Sequence, residues 1–334
     1  MRAFMVERYG DQAGVRAGEM PEPRVGADDV LVRIHAASVN PLDLKLRDGE
    51  FKAILPYPLP LVLGNDFAGV VVRAGSAVTR FAVGDEVYAR PGKDRIGTFA
   101  ELIAVHQDDV AVKPTTLTME EAASLPLVAL TAWQALVERA HVRPGQRVLI
   151  HAGSGGVGTI AIQLAKHLGA YVATTASTAK ADLVKGLGAD IVVDYKRQAF
   201  ETVLDGYDVV LDTLGGQTLK KSLRVLKPGG TVIGIAGPPD AAFARELGAH
   251  AILRLAMSAL SHPTRRRAKR RDVTYSFLFM RASGDQLREL TRLVDDGTIR
   301  PVVDRVFPFE ETREALEYVE KGRAKVGKVV VAMP

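Results

Sequence analysis

The sequence contains no cysteine. Disulfides, thiolate nucleophiles and cysteine-ligated zinc are thereby excluded. No uninterrupted apolar run approaches the ~20 residues that span a bilayer. Residues 1–9 lack the apolar core of ~7–15 residues that marks a signal peptide, so a soluble, cytoplasmic protein is expected. There is no general surplus of one charge sign either. Six of the 44 lysines and arginines fall within residues 265–271, and outside that run 38 basic residues face 39 acidic ones. That balance excludes a generally basic nucleic-acid binder. Internal repeats and low-complexity linkers are absent as well.

What is present is ordinary globular usage, with 47% hydrophobic and 25% charged residues in a chain of 334. That length allows two domains, each with its own core. Residues 1–112 alternate short β-like runs (30–34, 69–73, 102–105) with Gly, Pro and Asp clusters at 83–85 and 91–93, which predicts a compact, mainly β domain. The pattern changes near residue 118. Thr118 and Glu121 fit a capping box, and a helical stretch follows, broken by Pro126 and running to Leu136. Strands at 147–151, 171–175, 191–193, 208–211 and 231–235 then alternate with helices at 157–167, 178–187 and 216–226. This order implies a parallel sheet with helices on both faces. Gly169, Gly188 and Gly230 stand where helices are expected to stop. Further on, a helix over 241–262 is expected to end before Pro263, and residues 273–280 are β-rich. Helices 285–295 and 311–320 and strands 302–307 and 328–332 close the chain.

The strongest local signal is the glycine pattern of Gly153, Gly155 and Gly158, directly after a predicted strand and opening a predicted helix. Gly153 is read as permitting a tight turn, Gly155 as letting backbone approach a pyrophosphate, and Gly158 as letting helix and strand pack closely. Ser154, Gly156 and Val157 complete the loop. The helix N-terminus offers phosphates unpaired N–H donors and a partial positive charge. A nicotinamide dinucleotide is therefore the expected cofactor. A site for NAD usually ends its second strand in a carboxylate, ~20 residues on, that binds the ribose 2′-hydroxyl. Residues 173–180, Ala-Thr-Thr-Ala-Ser-Thr-Ala-Lys, contain no carboxylate. Ser177 and Lys180, with Tyr195 after the third strand, offer hydroxyls and an ammonium to a 2′-phosphate instead. This predicts NADPH. The plainer reading of Lys180 is a solvated helix residue.

Further motifs run from end to end. They include Ala-Ser-Val-Asn-Pro-Leu-Asp-Leu-Lys at 37–45, Leu-Gly-Asn-Asp-Phe-Ala-Gly-Val-Val at 63–71 and Phe-Ala-Val-Gly-Asp-Glu-Val at 81–87. Asp-Thr-Leu-Gly-Gly at 212–216, Leu-Lys-Pro-Gly-Gly at 226–230 and Gly-Lys-Val-Val-Val at 327–331 follow. With these motifs the chain resembles the quinone oxidoreductase branch of the medium-chain dehydrogenase/reductase superfamily. The resemblance implies an α/β protein with a GroES-like, mainly β catalytic domain, residues 1–124 and 281–334. A Rossmann domain with a doubly wound parallel sheet, residues 125–280, would be inserted in it, with the active site in the cleft between. It also implies a homodimer formed through the dinucleotide domain. The β-rich residues 273–280 would be a costly exposed edge if left unpaired.

By the same resemblance, Asn40 stands at the place of the first catalytic-zinc ligand of zinc-dependent relatives, and Asn65-Asp66 replaces their His-Glu. Asparagine is a poor zinc ligand, so no metal is expected. Without one, the alkoxide of a saturated alcohol is hard to stabilise. A quinone or enone accepts hydride more readily, because a few hydrogen-bond donors stabilise the delocalised product anion. The resemblance puts Asn40 near the nicotinamide and the substrate carbonyl, and Thr131 is taken with it into the cofactor-binding set. Lys45 and Tyr57 are further polar candidates on the same domain. Each has a plainer reading: Asn40 as a turn cap before Pro41, Lys45 and Tyr57 as ordinary polar residues. Asp43 is read as ordering its loop, and His151 as packing at a strand end. The expected activity is zinc-independent, NADPH-dependent reduction of a quinone or α,β-unsaturated carbonyl. One alternative is an enoyl-thioester reductase of the same superfamily. Another is a binding protein that keeps the dinucleotide fold and uses residues 265–271 on RNA or an anionic surface. The plain reading of that run is a solvated loop.

Overall fold

A computed structural model describes residues 1–10, 14–52 and 54–334. They form two compact units, Met1–Leu130 with Arg281–Pro334, and Thr131–Met280. The chain passes from one to the other inside the helix Pro126–Trp133. On sequence the division is drawn at 124/125, where Pro126 interrupts the helical pattern.

The first unit is built around Asp29–Val39, an eleven-residue strand that is buried along most of its length. It pairs antiparallel with Phe67–Ala74, Leu102–His106 and Lys328–Ala332. In the seven-stranded sheet the order is Val303–Pro308, Lys328–Ala332, Asp29–Val39, Phe67–Ala74, Glu86–Ala89 and Val110–Val112, with Leu102–His106 beside the central strand. The carboxyl end of the chain is thus a structural member of the amino-terminal unit: Val329 pairs with Val39 and Ala332 with Ala36. The capping box forms as expected. The Glu121 N–H donates to Thr118 Oγ1 at 3.2 Å, and the Thr118 N–H donates to Glu121 Oε2 at 3.0 Å.

The second unit is a six-stranded, all-parallel sheet in the order Ile191–Asp194, Tyr171–Ala176, Arg147–Ile150, Tyr207–Asp212, Leu226–Gly234 and Thr274–Phe277. Strand order reverses between Arg147–Ile150 and Tyr207–Asp212. In open α/β sheets that switch point, at the carboxyl ends of the strands, is where ligands bind. The fold is α/β, a GroES-like unit with a Rossmann-like one, as the sequence predicts.

Several expected elements shift. The helix expected over 216–226 stops at Ser222, and the following strand begins at Leu226. Gly230 therefore lies inside a strand, not at a helix stop, and the left-handed residue of that bend is Gly229 at φ 79°. The helix expected over 241–262 is two helices, Ala241–Glu246 and Ala251–Lys269, divided where Gly248 takes φ 66°. Each has its own cap. Asp240 accepts from the Ala242 and Phe243 N–H groups, and His250 Nδ1 from the Leu253 N–H. Pro263 sits within the second helix rather than after it. The buried stripe Met257, Ser261, Thr264 and Ala268 carries the helix through that position. Ser261 Oγ donates to Met257 O at 3.0 Å and Arg265 to Ser258 O at 2.9 Å, further bonds in the turns that precede and include the proline. Residues 265–269 are consequently the last turns of a helix, not a loop. Cations there complement the helix dipole.

Candidate active site

In the first unit, the central strand delivers Ser38 to the sheet's end, and Asn40 follows as the residue that starts the helix Pro41–Arg47. Proline at the first helical position has the right φ and no N–H to waste. Ser38, Asn40, Asp43, Asn65, Asp66 and Lys328 are all buried. They bond to one another. Asp66 Oδ1 accepts from Ser38 Oγ at 2.6 Å and from Asn40 Nδ2 at 3.1 Å. Its other oxygen accepts from the Leu127 N–H at 3.4 Å and lies 3.8 Å from Lys328 Nζ. Asp43 accepts from the Asn40 N–H and from Asn65 Nδ2, both at 2.7 Å. The Lys328 ammonium donates to Asn40 Oδ1 and, at 3.1 Å, to Val39 O. Asn40 Nδ2 also donates to Ser38 O at 3.3 Å.

Both hydrogens of the Asn40 amide thus have acceptors, one of them at 3.3 Å, and its oxygen takes the ammonium. Asp43 holds the entry of its helix, as expected, but burial, with help from the Asp66 charge, pushes its carboxyl up to about 7. Burial lowers the Lys328 ammonium against the opposing pull of Asp66 and Asp43. Lys45 and Tyr57 make no hydrogen bond to this cluster. Lys45 is exposed and pairs with Glu50 at 3.3 Å. The Tyr57 hydroxyl donates to Lys93 O at 2.5 Å, and burial raises its pKa to about 12.

Two cations were not singled out on sequence. Lys328 opens a strand that is otherwise apolar, Lys-Val-Val-Val-Ala. A charge in such a strand was the available signal. Arg90 is 2% exposed and follows Ala89, which pairs with Phe67, so it stands across the sheet from Asp66. Its Nη1 donates to Pro91 O at 2.7 Å, its Nε has no partner, and burial lowers its pKa.

In the second unit the glycine loop presents backbone. A Cβ on Gly153 would stand 2.0 Å from Thr174 Oγ1, and one on Gly158 would stand 2.3 Å from Ala152 O. The left-handed residue of the turn is Ala152 at φ 51°, so Gly153 is required by close approach to the neighbouring strand and not, as expected, by the turn itself. At Gly155 a Cβ would meet only Ala152 O at 3.4 Å, which leaves its other side clear. The loop is tied to the sheet by Gly153 N–H to Thr175 O at 3.0 Å and Ala152 N–H to Thr175 Oγ1 at 3.1 Å. The helix Gly156–His167 starts immediately, so the N–H groups of Gly156, Val157 and Gly158 have no intrahelical acceptor. Bare backbone with outward donors fits a pyrophosphate.

At the far end of this edge, Ala176 pairs in register with Asp194. That register gathers Ser177, Lys180 and Tyr195 at the ends of two adjacent strands. It also brings a carboxylate that counting along one strand overlooks. Asp194 accepts from Thr178 Oγ1, from the Thr178 N–H at 3.0 Å and from the Lys196 N–H at 2.8 Å, with Arg197 at 3.7 Å. Those bonds hold its carboxyl below the usual range. Thr131 is buried in the helix Pro126–Trp133. His151 is buried between Thr175 Oγ1 at 3.2 Å and Ser222 Oγ at 2.9 Å, edge-on to Phe200, and desolvation lowers its pKa to about 4. It is a neutral packed residue.

Residues 26–115 match the family described as alcohol dehydrogenase GroES-like domain, and residues 187–331 the family described as zinc-binding dehydrogenase. The 2-methylene-furan-3-one reductase of Solanum lycopersicum is 37% identical over 99% of this chain and 79% of its own length. The chloroplastic NADPH-dependent alkenal/one oxidoreductase of Arabidopsis thaliana is 38% identical over 97% and 78%. The quinone oxidoreductase from Coxiella burnetii superposes with a TM-score of 0.87 at 31% identity, covering 100% of this chain and 99% of that one. The chain belongs to the medium-chain dehydrogenase/reductase superfamily. Within it, the chain groups with the quinone and alkenal oxidoreductases. Although one family description names zinc, this oxidoreductase brings no three His, Asp or Glu side chains together as a metal site among its described residues.

Opposite pH dependences follow for two buried groups of this oxidoreductase. The folded pKa of Asp43, about 7, lies above the unfolded value, so the folded state holds the extra proton and stability falls as pH rises from about 4 to about 7. The folded pKa of His151, about 4, lies below its unfolded value, so its contribution rises with pH from about 4 to about 6.5. Asp43→Asn should leave a melting temperature that climbs across this window, and His151→Gln one that declines. Melting curves by circular dichroism test this, and identical profiles for both variants would refute it.

Proposed function

We propose that the chain is an NADPH-dependent reductase that transfers hydride to a quinone or an α,β-unsaturated carbonyl without zinc. The observation that carries this reading is the bare-backbone glycine loop at the sheet's switch point, with Ser177, Lys180 and Tyr195 gathered at its far edge. The relatives named for alkenal/one and quinone chemistry support it. The dinucleotide supplies the hydride when bound. The N–H groups of Ser154, Gly156, Val157 and Gly158 hold its pyrophosphate, and Gly153 and Gly155 keep the approach free of side chains. Ser177, Lys180 and Tyr195 hold the 2′-phosphate, while Thr131 and Asn40 serve the nicotinamide end.

Asn40 is the proposed donor to the oxyanion that develops as the carbonyl is reduced. Ser38, Asp66 and Lys328 fix its amide, so little reorganisation accompanies the charge. Both Nδ2 hydrogens already have acceptors, and the weaker contact, 3.3 Å to Ser38 O, is the one an oxyanion would share. That sharing limits the stabilisation. Lys45 and Tyr57 are assigned no step, because their polar atoms are engaged by Glu50 and Lys93.

NADPH should bind more tightly than NADH. Lys180→Ala should cost about 1.5–3 kcal/mol for NADPH, roughly 10- to 150-fold in Kd, with little change for NADH. Titration of both cofactors checks this, and equal affinities in the native protein would sink the assignment.

With a small quinone or an enal as acceptor, Asn40→Ala should lower kcat about tenfold while the Kd for NADPH holds. A folded variant with unchanged kcat would return Asn40 to a purely structural place.

We further propose a homodimer through the dinucleotide unit. Thr274–Phe277 is the last strand of the sheet and pairs on one side, with Leu226–Gly234. An unpaired edge recruits a second one. Light scattering at micromolar concentration should return twice 35.9 kDa, and the mass of one chain would refute the dimer.

A further inference from the structure

The helix Ala251–Lys269 has a surface that the reductase chemistry does not use. Its buried stripe, Met257, Ser261, Thr264 and Ala268, packs against the helix Ala241–Glu246 and the strand Thr274–Phe277 of its own unit. At 3.6 residues per turn the opposite stripe is Ile252, Leu255, Ala256, Ala259 and Pro263, then Arg266 and Arg270, with Leu260 and Arg267 beside it. Ile252 is 77% exposed and Leu255 72%, the two most exposed large apolar side chains among the described residues, and Leu260 is 60% exposed. From residue 251 to 271 there is no Asp or Glu. The outward face is thus apolar over its first three turns and uniformly cationic over its last two.

Solvent accounts for the arginines but not for the leucine and isoleucine, whose exposure forgoes hydrophobic stabilisation. An RNA would engage the charges and leave the apolar turns in water. One surface satisfies both halves: apolar side chains enter the acyl boundary while guanidinium groups meet lipid phosphates. The helix does not span, since no helix of the described residues is long and apolar enough to cross a membrane. We propose that the outward face of this helix docks on the surface of an anionic phospholipid bilayer, with its apolar amino-terminal turns inserted and Arg266, Arg267 and Arg270 on the headgroups.

Flotation of the full chain with vesicles of phosphatidylcholine alone, and of phosphatidylcholine with phosphatidylserine at three to one, tests this. Binding should require phosphatidylserine and weaken with added salt. Each cation near such a surface is worth about fivefold, so neutralising the three arginines to Gln should lower partitioning on the order of a hundredfold. Ile252→Ser with Leu255→Ser should lower it about tenfold or more even at low salt, which charge attraction alone would not produce. These substitutions should leave NADPH oxidation with a water-soluble quinone unchanged, which shows the variants folded. Absence of flotation with the anionic vesicles would overturn the proposal. So would binding indifferent to Ile252 and Leu255, which would point to RNA or a purely electrostatic contact. A change of mass in the apolar double variant would overturn it in favour of a second copy of the chain.

Discussion

The Lys328 ammonium sits beside Asp66, grips the Asn40 amide oxygen and closes on the Val39 carbonyl, 288 residues back along the chain from its own position to Asn40. The first unit is assembled from two segments separated by the whole dinucleotide unit, and this contact joins them at the sheet's end. Burying an ammonium with two carboxylates carries a desolvation cost that their attraction offsets only when the remaining polar atoms are also matched. Here they nearly are. Asp66 receives Ser38, Asn40 and Leu127, and Asp43 receives Asn40 and Asn65. Such a cluster contributes little net stability. It specifies one geometry, because any shift of the last strand breaks several matched bonds at once. The orientation of Asn40 is a consequence of that geometry.

The parallel sheet was legible because its central strands, Arg147–Ile150 and Tyr207–Asp212, are buried and read as apolar runs, with glycines marking where helices stop. Gly169 and Gly188 take left-handed φ at those stops, at 79° and 108°. The glycine loop was legible for a similar reason: all its requirements are local. What sequence missed is non-local. Lys328 and Arg90 acquire their places only through strand pairing. The helix through Pro263 was misread because a proline's missing N–H is a local penalty, while the four-residue buried stripe that outweighs it is a tertiary one. A short helix and a long one were read as one because Gly248 looks like a tolerated helix glycine until its φ of 66° is known.

Asp194 shows the limits of a rule counted along a single strand. The offset from the glycine loop finds no carboxylate after Thr175, yet the register Ala176 to Asp194 supplies one from the adjacent strand. At the proposed 2′-phosphate site, such an anion would be repulsive. Three features blunt that repulsion. Thr178 and the Lys196 N–H absorb the carboxylate's hydrogen-bonding capacity, Arg197 lies 3.7 Å from it, and Lys180 and Lys196 add cations at the same edge. A carboxylate so occupied acts as a brace for the turn that carries Ser177 and Lys180.

The two units hold their chemistry in different currencies of structure. The pyrophosphate recognition proposed for the Rossmann-like unit depends on the absence of side chains at Gly153, Gly155 and Gly158 and on backbone N–H groups. Those requirements are met by backbone and by three positions without a side chain, so neighbouring surface residues can change without touching them. The acceptor chemistry proposed for the GroES-like unit depends instead on the matched cluster of Ser38, Asn40, Asp43, Asn65, Asp66 and Lys328. Removing one member leaves the partners of its hydrogen bonds unmatched in a dry interior. The first arrangement tolerates wide divergence around a fixed cofactor, and the second resists piecemeal change. Around such a loop, the residues that meet the acceptor can change while the dinucleotide site is kept. Specificity for the acceptor must then come from side chains outside the matched cluster, where substitution carries no buried penalty.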